Sequence, residues 1–231
     1  MANRGFWIGA CVLLAVAIFW GVGQAVNPSS GDTEFKKALE SIKQVKTFRG
    51  AYIESASSTQ HSEHLWEVDC TRGFVHQQTH DLQSNPDHSY EMKQDELLVG
   101  DQRYSRSGDG SWEHIGHIGP LYSGKWYCDN LAKGTLRDLL PDILTFTRHG
   151  TFEEGDKKTV NGVSCREWKF DVRTPILVQK GSMCLGVDDH LPYEMITENG
   201  THYTYSDFNR PIQLDVPDAL LQSASSADGS N

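Results

Sequence analysis

The 231-residue chain has no cluster of lysine or arginine, and its formal net charge is −10. Nucleic-acid binding needs a basic footprint, so that class of partner is excluded. A diffuse acidic surface otherwise speaks only to solubility. Also missing are a Gly-x-Ser-x-Gly elbow, an HExxH helix and a glycine-rich phosphate loop, which removes the motif-bearing routes to hydrolysis and nucleotide chemistry. The ten histidines do not have the spacing of a metal site. His61/His64 and His114/His117 are three apart, which on a strand sends their rings to opposite faces. His76 and His80 share a face but stand about 13 Å apart along it, too far for one ion. Asp188, Asp189 and His190 could supply an acid and a base, but charged neighbours just before Leu191-Pro192 read better as a hairpin turn. The expectation is a non-enzymatic protein without cofactor or metal.

Uncharged apolar sequence is confined to one long run, 5–26, preceded by Arg4. That is the layout of an export signal with its positive end kept in the cytoplasm. Gly23-Gln24-Ala25 offers small residues where a signal peptidase cuts, so residues 1–25 are either a cleaved signal or a retained membrane anchor. The run is long enough to span a bilayer, with Trp7 and Trp20 near its two interfaces. Ile8-Gly9-Ala10-Cys11 has the letters of a lipobox, but the apolar residues follow Cys11 instead of preceding it. The remainder of the chain is expected outside the cytoplasmic membrane, in the periplasm.

Of five cysteines, Cys11 falls in the export run, leaving Cys70, Cys128, Cys165 and Cys184 in a compartment that permits disulfides. Three pairings are possible, with four unpaired buried thiols as the other reading. In 163–172 the residues Arg166, Trp168, Phe170 and Val172 share one face, which puts Cys165 on the other. In 183–187 the face of Met183, Leu185 and Val187 likewise leaves Cys184 opposite. On neighbouring antiparallel strands these two thiols meet at bridging distance, which pairs Cys165 with Cys184 and, by elimination, Cys70 with Cys128.

After a polar spacer, Asp32 caps a helix in which Phe35, Ala38, Leu39 and Ile42 recur at helical spacing. From 48 to 126 the period changes to two. The runs 48–55, 63–70, 74–80, 88–93, 96–100, 102–106 and 112–115 are short strands of one antiparallel sheet. A second helix is expected at 135–146, where Leu136, Leu139, Leu140, Ile143 and Leu144 form a stripe that Pro141 kinks. The sheet resumes with 150–152, 159–160, 163–172, 181–187 and 192–198. It ends in a meander through Asn199-Gly200, a type I′ hairpin signal, and a third run closing on Pro211 and Pro217. Asn199-Gly200-Thr201 also fits a glycosylation sequon, to which the turn role leaves little meaning. The domain is expected to span 32–217, followed by a disordered tail, 218–231.

A long antiparallel sheet must cover its apolar face, here with only two short amphipathic helices. Where they do not fill the concavity a hydrophobic cavity remains. The residues placed to line it are Trp66, Val68, Leu139, Ile143, Phe146, Trp168 and Phe170. Packing against one another is the other reading of the same pattern, and the sequence leaves both open.

ELLVGDQRYSRSGDGSW at 96–112, VNGVSCREWKF at 160–170, MCLGVDDHLPYEM at 183–195 and YTYSDFNRPIQLDVP at 203–217, in this order, resemble the periplasmic lipoprotein carriers and receptors and the related mycobacterial lipid-binding lipoproteins. The resemblance implies a mainly β, α+β fold: a curved antiparallel half-barrel of about eleven strands with helices closing its concave face. It implies a carrier or binding protein for lipid, lipoprotein acyl chains or another hydrophobic ligand, working at a membrane surface. The alternative it carries is an envelope regulatory or sensor protein that uses the same fold to bind a membrane-bound protein partner. That family has no catalytic residue to carry over.

Overall fold

Alternating side chains between glycine- and asparagine-rich turns settle into one sheet. The computed structural model describes residues 30–57, 60–84, 89–118, 123–133, 150–175, 178–214, 216–217 and 219–220. The apolar run 5–26 and the expected helix 135–146 lie outside them. The chain enters through helix α1 (Ser30–Ile42) and continues into β1 (Thr47–Ser57), β2 (Gln60–Asp69), β3 (Phe74–Ser84), β4 (Ser89–Val99), β5 (Gln102–Ser107) and β6 (Glu113–His117). Helix α2 (Gly124–Lys133) precedes β7 (Gly150–Val160), β8 (Val163–Arg173), β9 (Val178–Gly186), β10 (Pro192–Thr197) and β11 (His202–Ser206). All strands join one open antiparallel sheet in the order β6-β5-β4-β3-β2-β1-β11-β10-β9-β8-β7. It curves into a half-barrel without closing.

The helices cover the concave face. α1 buries Phe35, Ala38 and Ile42 and leaves Lys37 and Lys43 outside, paired with Glu34 and Glu40. Phe35 packs tilted against Phe152 of β7 at 4.2 Å and meets Trp168 of β8 edge-on at 6.4 Å. α2 was not expected from the sequence. Ser123 caps it, accepting from the Trp126 N–H at 3.1 Å, and Gly124, Tyr127, Cys128 and Leu131 share its inward face at helical spacing. A Cβ on Gly124 would stand 2.2 Å from the Gly73 carbonyl oxygen, so only glycine lets the helix start so close to the β2–β3 turn. Cys128 then reaches Cys70, and the other bridge joins Cys165 to Cys184; Cα–Cα distances are 5.3 and 5.6 Å. Both pairings are those expected. Cys165 and Cys184 lie diagonally, Cys165 opposite Gly186 and Cys184 opposite Glu167, on the outer face.

Several local readings need correction. The runs 88–93 and 96–100 form one strand, β4, because Asp95 is held across the sheet by the Arg106 guanidinium instead of turning the chain. Likewise β7 is continuous, with a bulge between Glu154 and Lys157 at Gly155. Asn161-Gly162 is the type I′-like turn, with φ of 50° and 80°. At 197–201 only Gly200 has positive φ, 90°, and Gly200 N–H donates to the Thr197 carbonyl, which is a type I turn closed by a bulge.

The third run is not a strand. After left-handed Asp207 and Asn209, residues 211–214 and 216–217 cross the outer face of β3–β5, where Ile212, Leu214 and Val216 bury against Phe74, Leu97, Val99 and Tyr104. Arg72 holds this strap by donating to the Ile212 carbonyl at 2.9 Å, and Thr47 donates to the Arg210 carbonyl at 2.6 Å. Leu220 packs on the same patch, and 221–231 are outside the described residues.

Candidate functional site: the concave face

Residues directly opposite on antiparallel strands share a face, so the register traces a row across the inside of the sheet. His64 faces Tyr52, Tyr52 faces Tyr203, Tyr203 faces Met195, Met195 faces Met183, and Met183 faces Trp168. Six strands at about 4.8 Å make this aromatic and thioether row about 24 Å long. Its β8–β10 end is buried: Trp168, Met183 and Met195 are 4%, 1% and 1% exposed. Its other end is half-open, with Tyr52, His64 and Tyr203 partly exposed. There the Tyr52 ring stacks on His64 at 4.3 Å and meets Trp66 edge-on at 5.7 Å and Tyr203 at 5.5 Å.

Trp66, Val68, Trp168 and Phe170 all lie on this inner face in one cluster with Phe35, Ile42 and Leu131. Each is almost fully buried in that cluster. Leu139, Ile143 and Phe146 lie outside the described residues. Trp168 and Leu185 also floor an open cleft of about 460 Å³ at the start of α1. Its rim is charged and mostly paired, Arg166 with Glu154 at 3.2 Å and His190 with Glu34 at 3.0 Å. Sequence reasoning missed Tyr52, Tyr203 and Met195. Their alternation was visible, but the row exists only through the pairing of β1 with β11.

Beyond the aromatic end the face turns polar. The Ser62 hydroxyl donates to Asp81 and lies 2.8 Å from His64 Nε2. A hydroxyl has one proton, and Asp81 takes it, so Nε2–H must be the donor to Ser62. Burial also pulls the His64 pKa down, against Asp81. The imidazole donates to Ser62 instead of accepting its proton, which is not the arrangement of an activated nucleophile. Asp189 likewise serves a turn: Oδ1 accepts from Leu191 N–H at 3.0 Å and Oδ2 from the Tyr193 hydroxyl at 2.6 Å.

The histidine pair at 114 and 117 departs from expectation. A bulge at Ile115 brings both rings to one side, centroids 6.2 Å apart, with His114 on Gln102 Oε1 at 2.8 Å. His76, expected at the surface, is 1% exposed and bonded to Glu67 at 3.2 Å. Burial acts to raise the Glu67 pKa, but hydrogen bonds from His76 and Arg49 outweigh it and hold the carboxyl below its usual range. No group of three or more potential metal ligands occurs among the described residues. No helix among them is long and apolar enough to cross a membrane.

No protein-family model and no curated sequence matches the chain. Solved structures do. LprF from Mycobacterium bovis superposes with a TM-score of 0.53 at 9% identity, over 82% of this chain and 98% of LprF. MucB, solved with MucA from Pseudomonas aeruginosa, gives a TM-score of 0.42 at 15% identity, over 85% of this chain and 62% of that one, and adds nothing to the assignment. The chain therefore shares the fold of LprF.

Proposed function

We propose that the protein is an exported, non-enzymatic binding protein or carrier for a hydrophobic ligand, an acyl chain of a lipid or lipoprotein, held along the inner face of the half-barrel. The row from His64 to Trp168 carries this reading, because it presents a continuous apolar track that is covered at one end and half-open at the other. The two helices among the described residues, each about 10 Å across, cover only part of a sheet whose eleven strands span about 48 Å. Each buried methylene contributes about 0.8 kcal/mol, so a stretch of about twelve supplies on the order of 10 kcal/mol before binding entropy is deducted. Trp66, Val68, Trp168 and Phe170 form the floor of the site, with Leu139, Ile143 and Phe146 on the expected second helix. The two disulfides suit an oxidising compartment, with residues 1–25 as the export signal or anchor.

The test is mass spectrometry of lipids extracted from the purified protein, with titration of a fluorescent fatty-acyl probe. Co-purifying lipid and saturable probe binding are expected. A ligand-free protein that fails to bind the probe refutes the carrier. If it instead retains a membrane-bound protein partner, the assignment moves to a partner-binding role.

A further inference from the structure

Gly50, in the middle of β1, faces Trp66 of β2 on one side and Tyr205 of β11 on the other. Because it has no side chain the Trp66 indole lies over it. A Cβ there would stand 2.6 Å from Nε1 and 2.8 Å from Cε2. Trp66 is 2% exposed and Tyr205 1%. Yet neither Trp66 Nε1 nor the Tyr205 hydroxyl has a hydrogen-bond partner among the described residues. Buried donors are nearly always satisfied, and leaving one bare costs free energy. Two bare donors flanking one glycine, beside the apolar track, mark a position for an absent acceptor.

We infer that Trp66 Nε1–H and the Tyr205 hydroxyl are the polar anchor of the ligand site, and that its ligand is an apolar chain carrying an uncharged acceptor oxygen, such as an ester or amide carbonyl. The inference rests on the concave face being the ligand site. Both atoms donate: an indole N–H can do nothing else, and burial keeps the Tyr205 phenol neutral by raising its pKa well above the usual value. The surroundings decide the charge of the acceptor. Phe48, Tyr52, Val68 and Met195 bring no charge to this part of the face. His64, stacked on Tyr52, is disfavoured as a cation by burial. Among the described residues the inner-face guanidiniums stand elsewhere, Arg103 on Glu96 and Arg166 on Glu154. A carboxylate here would be buried without a counter-charge from the described residues, which is prohibitive, whereas a carbonyl needs only the two donors. The partly exposed rings of Tyr52, His64 and Tyr203 give the approach from solvent.

The test is displacement of a bound fluorescent acyl-ester probe by methyl palmitate, palmitate and an alkane of matching length, delivered from cyclodextrin at neutral pH. In the wild type the ester is expected to displace about tenfold better than either competitor. Tyr205→Phe should remove most of that advantage, leave the alkane unchanged, and keep or raise the melting temperature, since it deletes an unsatisfied hydroxyl. Three outcomes overturn the inference: ester and alkane binding equally, palmitate binding best, or Tyr205→Phe leaving the ratio intact, in which case the donors hold only a buried water. If no probe binds, the concave-face reading falls as well, which separates the two failures.

Discussion

Breaking the Cys70–Cys128 bridge is the most quantitative perturbation the structure offers. It closes a loop of 58 residues. In the chain-entropy account such a loop removes about 14 cal/mol/K from the unfolded chain, about 4 kcal/mol at room temperature, while the 19-residue separation of Cys165–Cys184 gives about 3 kcal/mol. The longer bridge has a second role, because it ties α2 to the end of β2 where Gly124 N–H donates to the Gly100 carbonyl. Replacing Cys70 and Cys128 together by Ala should therefore lower the melting temperature by about 8–16 °C for a domain of this size. Far-UV circular dichroism of the double variant and the oxidised wild type measures it, and near-UV signal from Trp126 and Tyr127 reports α2 separately. Equal melting temperatures would refute the reasoning, since either the bridge or the unfolded-state loop would then be wrongly assigned.

Gly50→Ala should cost about 1–3 kcal/mol in chemical denaturation, because the added Cβ meets the Trp66 ring at 2.6 Å in a packed interior; an unchanged midpoint counts against the indole's placement. Leu214→Ala should cost about 2–3 kcal/mol and increase dye binding to the outer face, since Leu214 is 7% exposed in the strap's patch. A surface-like loss below about 0.5 kcal/mol would mean that the strap is not docked. Acid should also destabilise the fold. Burial pushes the Glu67, Asp69 and Glu194 pKa values up, but hydrogen bonds from His76 and Arg49, from Thr71 and Arg72, and from Lys158 and His202 outweigh it, so all three lie below their usual values. A depressed folded pKa gives stability that is present above the unfolded value and lost as pH falls through the folded one. The melting temperature should thus drop between about pH 5 and about pH 3; a flat profile there contradicts these pairings.

Strand alternation, the α1 stripe and both disulfide pairings were legible because each depends on spacing within one or two neighbouring segments. What failed depended on geometry that spacing does not encode. Asp95 and Gly155 read as breaks, yet a cross-strand guanidinium keeps one strand whole and a bulge absorbs the extra length in the other. The bulge at Ile115 reversed the parity argument for His114 and His117. Ile212, Leu214 and Val216 alternate like a strand, and alternation cannot say whether such a segment bonds to a sheet edge or lies across a face. α2 was overlooked because its apolar stripe is carried by glycine, tyrosine and cysteine. At the site, Trp66 and Trp168 were readable as inward aromatics, but the row from His64 to Trp168 and the bare donors around Gly50 arise only from the β1–β11 pairing.

That pairing has a consequence for how the chain is made. Strands β1–β6 form one hairpin-linked series and β7–β11 another, and the two are stitched along a seam whose salt-bridged residues, Arg49 and Asp207, are 158 apart in sequence. Local hairpins close quickly, whereas a seam of such long range closes late. At about 5–20 residues per second β1 waits roughly eight to thirty seconds for β11, its edge exposing unpaired backbone. The newborn chain is therefore expected to depend on a holding chaperone, and pulse-labelled hydrogen exchange should find the β1 and β11 amides protected last during refolding. Early protection of those amides would place the seam in the folding nucleus instead.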